Sequence, residues 1–165
     1  MRLFTAIMLS EEMKDSLCNV QKQLRMKGAF GNFTIRDNMH ITLAFIGETE
    51  DVDEAMAAVD NIEHDSFNIA LNGCGNFGSL FFVGLENSDK LVSLAGQVRR
   101  NLTENGLQID TKPFKPHITM VREINRQPSG LMIPQTEMKV SRVSLMRSDR
   151  VKGRLVYTCI HSKDL

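Results

Sequence analysis

The chain has 165 residues, 42% apolar and 24% charged, and its 20 cationic and 20 acidic side chains give a formal net charge of zero. That is the size and composition of a globular domain with a core of its own, and it excludes a disordered or collagen-like chain. No apolar run approaches the ~20 residues of a membrane-spanning helix. Cys18, Cys74 and Cys159 are too few and too scattered for a disulfide framework or a cysteine-based zinc site, so a cytoplasmic protein is expected.

The N-terminal MRLFTAIML reads as a first strand, Leu3 to Leu9, rather than a secretory leader: its apolar run is short and ends at Ser10-Glu11-Glu12. Ser10 can cap a helix whose apolar stripe is Met13, Leu17, Val20 and Leu24, with Gly28 as its stop. A strand follows from His40 to Ile46, then a helix after Glu50 with Val52, Met56, Val59 and Ile62 on one face. Phe67 to Leu71 and Phe81 to Leu85 read as strands, with Asn76-Phe77-Gly78-Ser79 suited to a tight connection. A third helix follows Ser88, faced by Leu91, Leu94, Val98 and Leu102 and stopped by Gly106. Strands His117 to Arg122, Val140 to Leu145 and Leu155 to Ile160 complete the chain, with a loop at Pro128 to Pro134. No linker divides the sequence, and the mixed order predicts one α+β unit over residues 1–165.

Charge is unevenly placed. Glu48 to Asp65 holds eight carboxylates and no Lys or Arg, whereas Lys139 to Arg154 holds six cations and one acid, Asp149. The neutral total therefore hides a basic segment able to meet phosphates.

The tripeptide His-Ile-Thr occurs twice, at 40–42 and 117–119, each time in a predicted strand and each time followed by an apolar residue, Leu43 or Met120. Residues i and i+2 of a strand share a face. His40 and Thr42 are thus side by side, as are His117 and Thr119, with Ile41, Leu43, Ile118 and Met120 turned toward the core. If the two strands meet across a local two-fold axis, two imidazoles face each other, flanked by hydroxyls. With an unperturbed pKa near 6.5, one ring can take a proton while the other gives one, and the hydroxyls can donate to a phosphate's non-bridging oxygens. Two His and two Thr lack the third strong ligand of a catalytic zinc site, so no metal and no cofactor are expected.

These residues resemble the signature of the 2H phosphoesterase superfamily, His40-Ile41-Thr42-Leu43 and His117-Ile118-Thr119-Met120. Arg2-Leu3-Phe4, HITLAFIGE, GCGNFGSLFFVGLE and FKPHITMVRE extend the likeness to the RNA 2′,3′-cyclic phosphodiesterases, formerly described as 2′–5′ RNA ligases. The resemblance implies a bilobal α+β fold, with two pseudo-symmetric lobes of antiparallel strands, helices outside and a central cleft. It implies hydrolysis of a 2′,3′-cyclic phosphate to a 2′-phosphate, with His40 as proton donor to the 3′ oxygen and His117 as proton acceptor from water. Thr42, Thr119 and Arg122 would hold the phosphoryl oxygens, and the partner would be RNA with cyclic phosphate ends or a cyclic nucleotide. Action on 2′–5′ linkages in either direction, or binding of an RNA end without turnover, would use the same cleft.

Strict alternation sets Arg122 on the face opposite His117, so it reaches the site only if the strand ends or bulges before it. Phe45 and Phe114 flank the motifs and could stack on a base, but Phe45 alternates onto the Ile41 side and core packing is the role expected of it. Phe114 and Tyr157, the only tyrosine, are candidate stacking platforms, and His64 and His161 are expected on the surface. The basic segment from Lys139 to Arg154 is expected to track an RNA backbone, and the protein to be a monomer without membrane contact.

Overall fold

The computed structural model describes residues 1–165 and contains three α-helices and nine strands. Two stretches of the same plan build its frame. In the first, strand β1 (Arg2–Met8) leads through Ser10 into the 16-residue helix α1 (Glu11–Met26), and strand β3 (His40–Glu48) returns antiparallel to β1. In the second, β5 (Leu80–Leu85) leads through Ser88 into the 16-residue α3 (Asp89–Glu104), and β6 (Ile118–Arg122) returns antiparallel to β5. Both helices start on a serine hydroxyl that accepts the N–H of the third residue beyond it, Met13 in one and Leu91 in the other, at 3.1 Å. Both stop at a glycine in the left-handed region, Gly28 (φ 83°) and Gly106 (φ 85°).

Each unit feeds its own antiparallel sheet. One has the order β3-β1-β8-β9, where β8 (Arg142–Val151) and β9 (Arg154–Asp164) form a long hairpin. Its two-residue turn, Lys152-Gly153, has φ of 52° and 78°, the left-handed pair that matches strand twist. The other has the order β2-β6-β5-β4-β7, with β2 (Asn32–Phe33), β4 (Phe67–Phe77) and β7 (Glu137–Val140). One contiguous core of 34 buried residues draws side chains from both sheets, from α1 and α3, and from α2 (Val52–Asp60). No helix is long and apolar enough to cross a membrane.

The architecture is the expected α+β arrangement of two antiparallel sheets, with departures that have physical causes. The strand expected from Val140 to Leu145 is two strands in two sheets: β7 pairs with β4, and after Ser141 the chain enters β8 beside β1. The apolar positions change phase there, from Met138 and Val140 to Val143 and Leu145, a slip that a bulge within a single strand would also produce. β4 runs six residues beyond Leu71, through a bulge between Leu71 and Cys74. His117 stands just before β6, which pairs only from Ile118.

Candidate active site

β3 lies at the edge of one sheet, and β6 lies in the other between the short β2 and β5, with the cleft between the sheets. His40, Thr42, His117 and Thr119 all line one cavity of about 760 Å³ in this cleft. The two copies of the motif fix their rings in the same way. His40 Nδ1 lies 2.6 Å from the carbonyl of Asn38, and His117 Nδ1 lies 2.6 Å from the carbonyl of Lys115, in each case two residues upstream. A carbonyl can only accept, so Nδ1 carries the hydrogen and Nε2 is the atom free to exchange a proton. In His40, Nε2 meets the Thr42 hydroxyl at 2.8 Å.

Aromatic rings hold both imidazoles. Phe4, on the strand next to β3, lies 5.1 Å from His40, and Tyr157 stands edge-on to His40 at 5.4 Å. On the other side Phe82, opposite Thr119 in the β5–β6 register, lies 5.6 Å from His117, and Phe77 stands perpendicular to it at 5.1 Å. Phe77 and Phe82 stack on each other at 4.5 Å. Gly75 makes room for this stack, since a Cβ there would meet the Phe82 Cζ at 2.8 Å. Of these four rings the sequence singles out only Tyr157; Phe4, Phe77 and Phe82 reach the histidines from other strands, which no local pattern reveals.

Burial among these groups pushes the His40 imidazole down to about 4, the positive charges of His117 and Arg122 add to the lowering, and the Asn38 carbonyl opposes it. His40 is therefore neutral near pH 7 in the ligand-free protein. Burial pushes the Tyr157 hydroxyl up.

Arg122 is brought into the cleft by a bulge. Thr119 pairs with Phe82 and Val121 with Phe81, which leaves Met120 as the extra residue. Met120 and Val121 are both buried, and Arg122 turns to the Thr119 side. The same device operates in β3: Thr42 pairs with Ala6 and Ala44 with Thr5, so Leu43 is extra. Leu43 and Ala44 are both buried, and Phe45 moves to the cleft, 44% exposed, instead of entering the core. Phe45 is thus the counterpart of Arg122 in the other lobe.

Each bulge is held by the helix of the opposite unit. Gln21 on α1 donates from Nε2 to the Met120 carbonyl at 3.2 Å and to the Thr34 carbonyl at 2.7 Å. Arg99, equally far beyond its serine cap on α3, donates from Nε to the Leu43 carbonyl at 3.0 Å. Gln21 is only 5% exposed, so its amide is a costly thing to bury without these partners. Gln21→Leu should destabilise the fold by about 1–3 kcal/mol, because the Thr34 carbonyl loses its side-chain donor and the buried Met120 carbonyl keeps only the Thr34 N–H. It should also weaken phosphate binding by freeing the bulge that aims Arg122. Urea unfolding together with phosphate titration checks this; unchanged phosphate affinity in a destabilised variant would show that the bulge holds its shape without Gln21.

Other expectations move. Phe114 packs against the main core with the Arg99 guanidinium 5.7 Å from its ring, and is not a cleft platform. Tyr157 does line the cleft. The basic segment is dispersed by the crossover at Ser141: Lys139 pairs opposite Asn68 at the far edge of the second sheet. Arg142 is tied to Asp164 and Arg147 to Asp149 at 2.8 and 2.7 Å, so only Arg150 and Arg154 reach the cleft unpaired. His161 pairs with Asp60 at 2.6 Å and His64 bonds the Asp65 carbonyl, both outside the cleft lining. No three His, Cys, Asp or Glu side chains gather as a metal-ligand set.

Residues 14–152 match the sequence pattern of the 2′-5′ RNA ligase superfamily. A Thermotoga maritima protein described as an RNA 2′,3′-cyclic phosphodiesterase is 33% identical over 135 residues, 74% of this chain and 70% of that protein. An Escherichia coli protein of the same description is 26% identical over 166 residues, 95% of this chain and 92% of that one. Among solved structures, TT0787 of Thermus thermophilus superposes with a TM-score of 0.88 at 26% identity, covering 100% of this chain and 98% of its own. E. coli LigT complexed with 3′-AMP superposes at 0.84 with 26% identity, covering 99% and 97%.

Proposed function

The chain belongs to the 2′-5′ RNA ligase superfamily, and from that premise we propose that it hydrolyses 2′,3′-cyclic phosphate ends of RNA or nucleotides to 2′-phosphates. The observation that carries this reading is the pair of histidines, each with Nδ1 on a carbonyl two residues upstream, lining one cleft with Thr119 and Arg122. His117 Nε2 takes a proton from water as the water oxygen bonds to phosphorus. His40 Nε2 gives a proton to the 3′ oxygen as the P–O3′ bond breaks, leaving the phosphate on O2′. Thr42, Thr119 and Arg122 hold the non-bridging oxygens, where negative charge concentrates in the transition state.

A donor whose pKa lies near 4 in the free protein is unloaded at neutral pH. The anionic substrate supplies the correction: a negative phosphate beside His40 raises its proton affinity, and the Asn38 carbonyl accepts the Nδ1–H of the imidazolium. The acid is thus charged as the substrate binds, and binding takes up a proton.

The test is incubation with a 2′,3′-cyclic mononucleotide in EDTA and identification of the released phosphomonoester. A 2′-phosphate is expected. A 3′-phosphate would reverse the assignment of the leaving oxygen, and intact nucleotide at substrate concentrations that bind would sink the hydrolase reading.

A further inference from the structure

A second cavity, of about 600 Å³, opens beside the first. The two share a wall that includes His40, Thr119, Arg122 and Tyr157, so the reacting phosphate would sit at their junction. Beyond that wall the second cavity has Asn32, Phe33, Thr34 and Ile35 on one side and Arg154, beside the turn of the β8–β9 hairpin, on the other, while Arg150 borders both cavities.

This tip is fixed in place. Asn38 donates from its side chain to the Leu155 carbonyl at 2.9 Å, while its own carbonyl holds His40. The same residue thus ties the hairpin to the catalytic ring. Arg122, Arg150 and Arg154 have no carboxylate within ion-pair distance, unlike Arg36, Arg142 and Arg147, which lie 2.6–2.8 Å from theirs. Cations left without acidic partners around a groove are available to anions from solution.

A cyclic mononucleotide brings one phosphate, and Thr42, Thr119 and Arg122 suffice for it. Arg154 lines only the second cavity and has nothing to bind in such a ligand. We propose that this second cavity is a subsite for the phosphodiester that precedes the cyclic end, so that the enzyme takes polynucleotide ends in preference to cyclic mononucleotides. The proposal rests on the hydrolase reading above.

The experiment compares kcat/KM for a 2′,3′-cyclic mononucleotide and for a short RNA ending in the same cyclic nucleotide, in the wild type, Arg154→Ala and Arg154→Lys. The wild type should favour the RNA, and Arg154→Ala should lose about tenfold on the RNA alone. The slope of log kcat/KM against log salt on RNA should shallow by about 0.7, the value of one single-strand phosphate contact. Arg154→Lys should keep most of the preference. Equal loss on both substrates, or a wild type without preference, would overturn the subsite while leaving the hydrolase reading intact. No turnover of either substrate would instead overturn that reading.

Discussion

His40→Ala and His117→Ala should each lower kcat/KM toward a cyclic nucleotide by about 10²–10⁴-fold, the range that a positioned acid or base contributes. The loss should lie mainly in kcat, because Thr42, Thr119 and Arg122 still hold the phosphate. The double variant should be little worse than either single one, since donor and acceptor serve one displacement and removing one wastes the other. Each ring packs on two aromatic neighbours, so His→Gln variants, which fill more of the space, separate a chemical loss from a packing loss. Single-turnover rates, with circular dichroism on the same samples, make the measurement. Rates within a few-fold of wild type in both alanine variants would remove the paired-histidine mechanism altogether.

The ligand-free protein should lose up to about 3 kcal/mol of stability as pH falls from about 6.5 to about 4, beyond the loss from its carboxylates. The folded His40 has a pKa of about 4, whereas the unfolded ring titrates near 6.5. Above 6.5 both states hold a neutral ring and nothing is lost. Between the two values the unfolded chain binds a proton that the folded one resists, and below 4 the full penalty stands. Urea unfolding at pH 7 and pH 4.5 in wild type and His40→Gln isolates the contribution, because the variant keeps every carboxylate and lacks the imidazole. Phosphate ion should restore part of the loss in the wild type by raising the His40 pKa toward its ordinary value. Parallel pH profiles in the two proteins would mean that His40 protonates freely in the fold.

The His-x-Thr faces were legible in the sequence because alternation over three residues needs no knowledge of the neighbouring strand. Alternation failed for Phe45 and became conditional for Arg122, and both bulges are visible only once β3 and β6 are set against β1 and β5. Apart from Tyr157, the aromatic rings around His40 and His117 were hidden for the same reason. Gln21 and Arg99 do equivalent work with different side chains, so no identity marks them as a pair. What marked the repeat was the His-Ile-Thr tripeptide at 40–42 and 117–119; the spacing of Ser10, Gly28 and His40, which matches that of Ser88, Gly106 and His117 to within a residue, shows its meaning only once the two helices are seen to correspond. The split of the last basic stretch at Ser141 shows in the sequence only as a one-residue change of apolar phase, from Met138 and Val140 to Val143 and Leu145, which fits a bulge in one strand as well as a passage between two sheets.

A frame that nearly maps onto itself when turned over would seat a ligand equally well in two opposite ways. The two bulges remove that degeneracy by what they present, an uncharged phenyl ring at Phe45 from one lobe and a guanidinium at Arg122 from the other. A ligand with a flat heterocycle at one end and an anion at the other then has one favourable orientation, and reversal sets the anion against the ring and leaves the cation facing an apolar surface. His40 and His117 therefore stand in different surroundings, although the order of elements that carries them repeats. These two side chains add to the asymmetry that Tyr157, Arg150 and the burial of His40 already give the cleft, on a scaffold whose order of elements repeats.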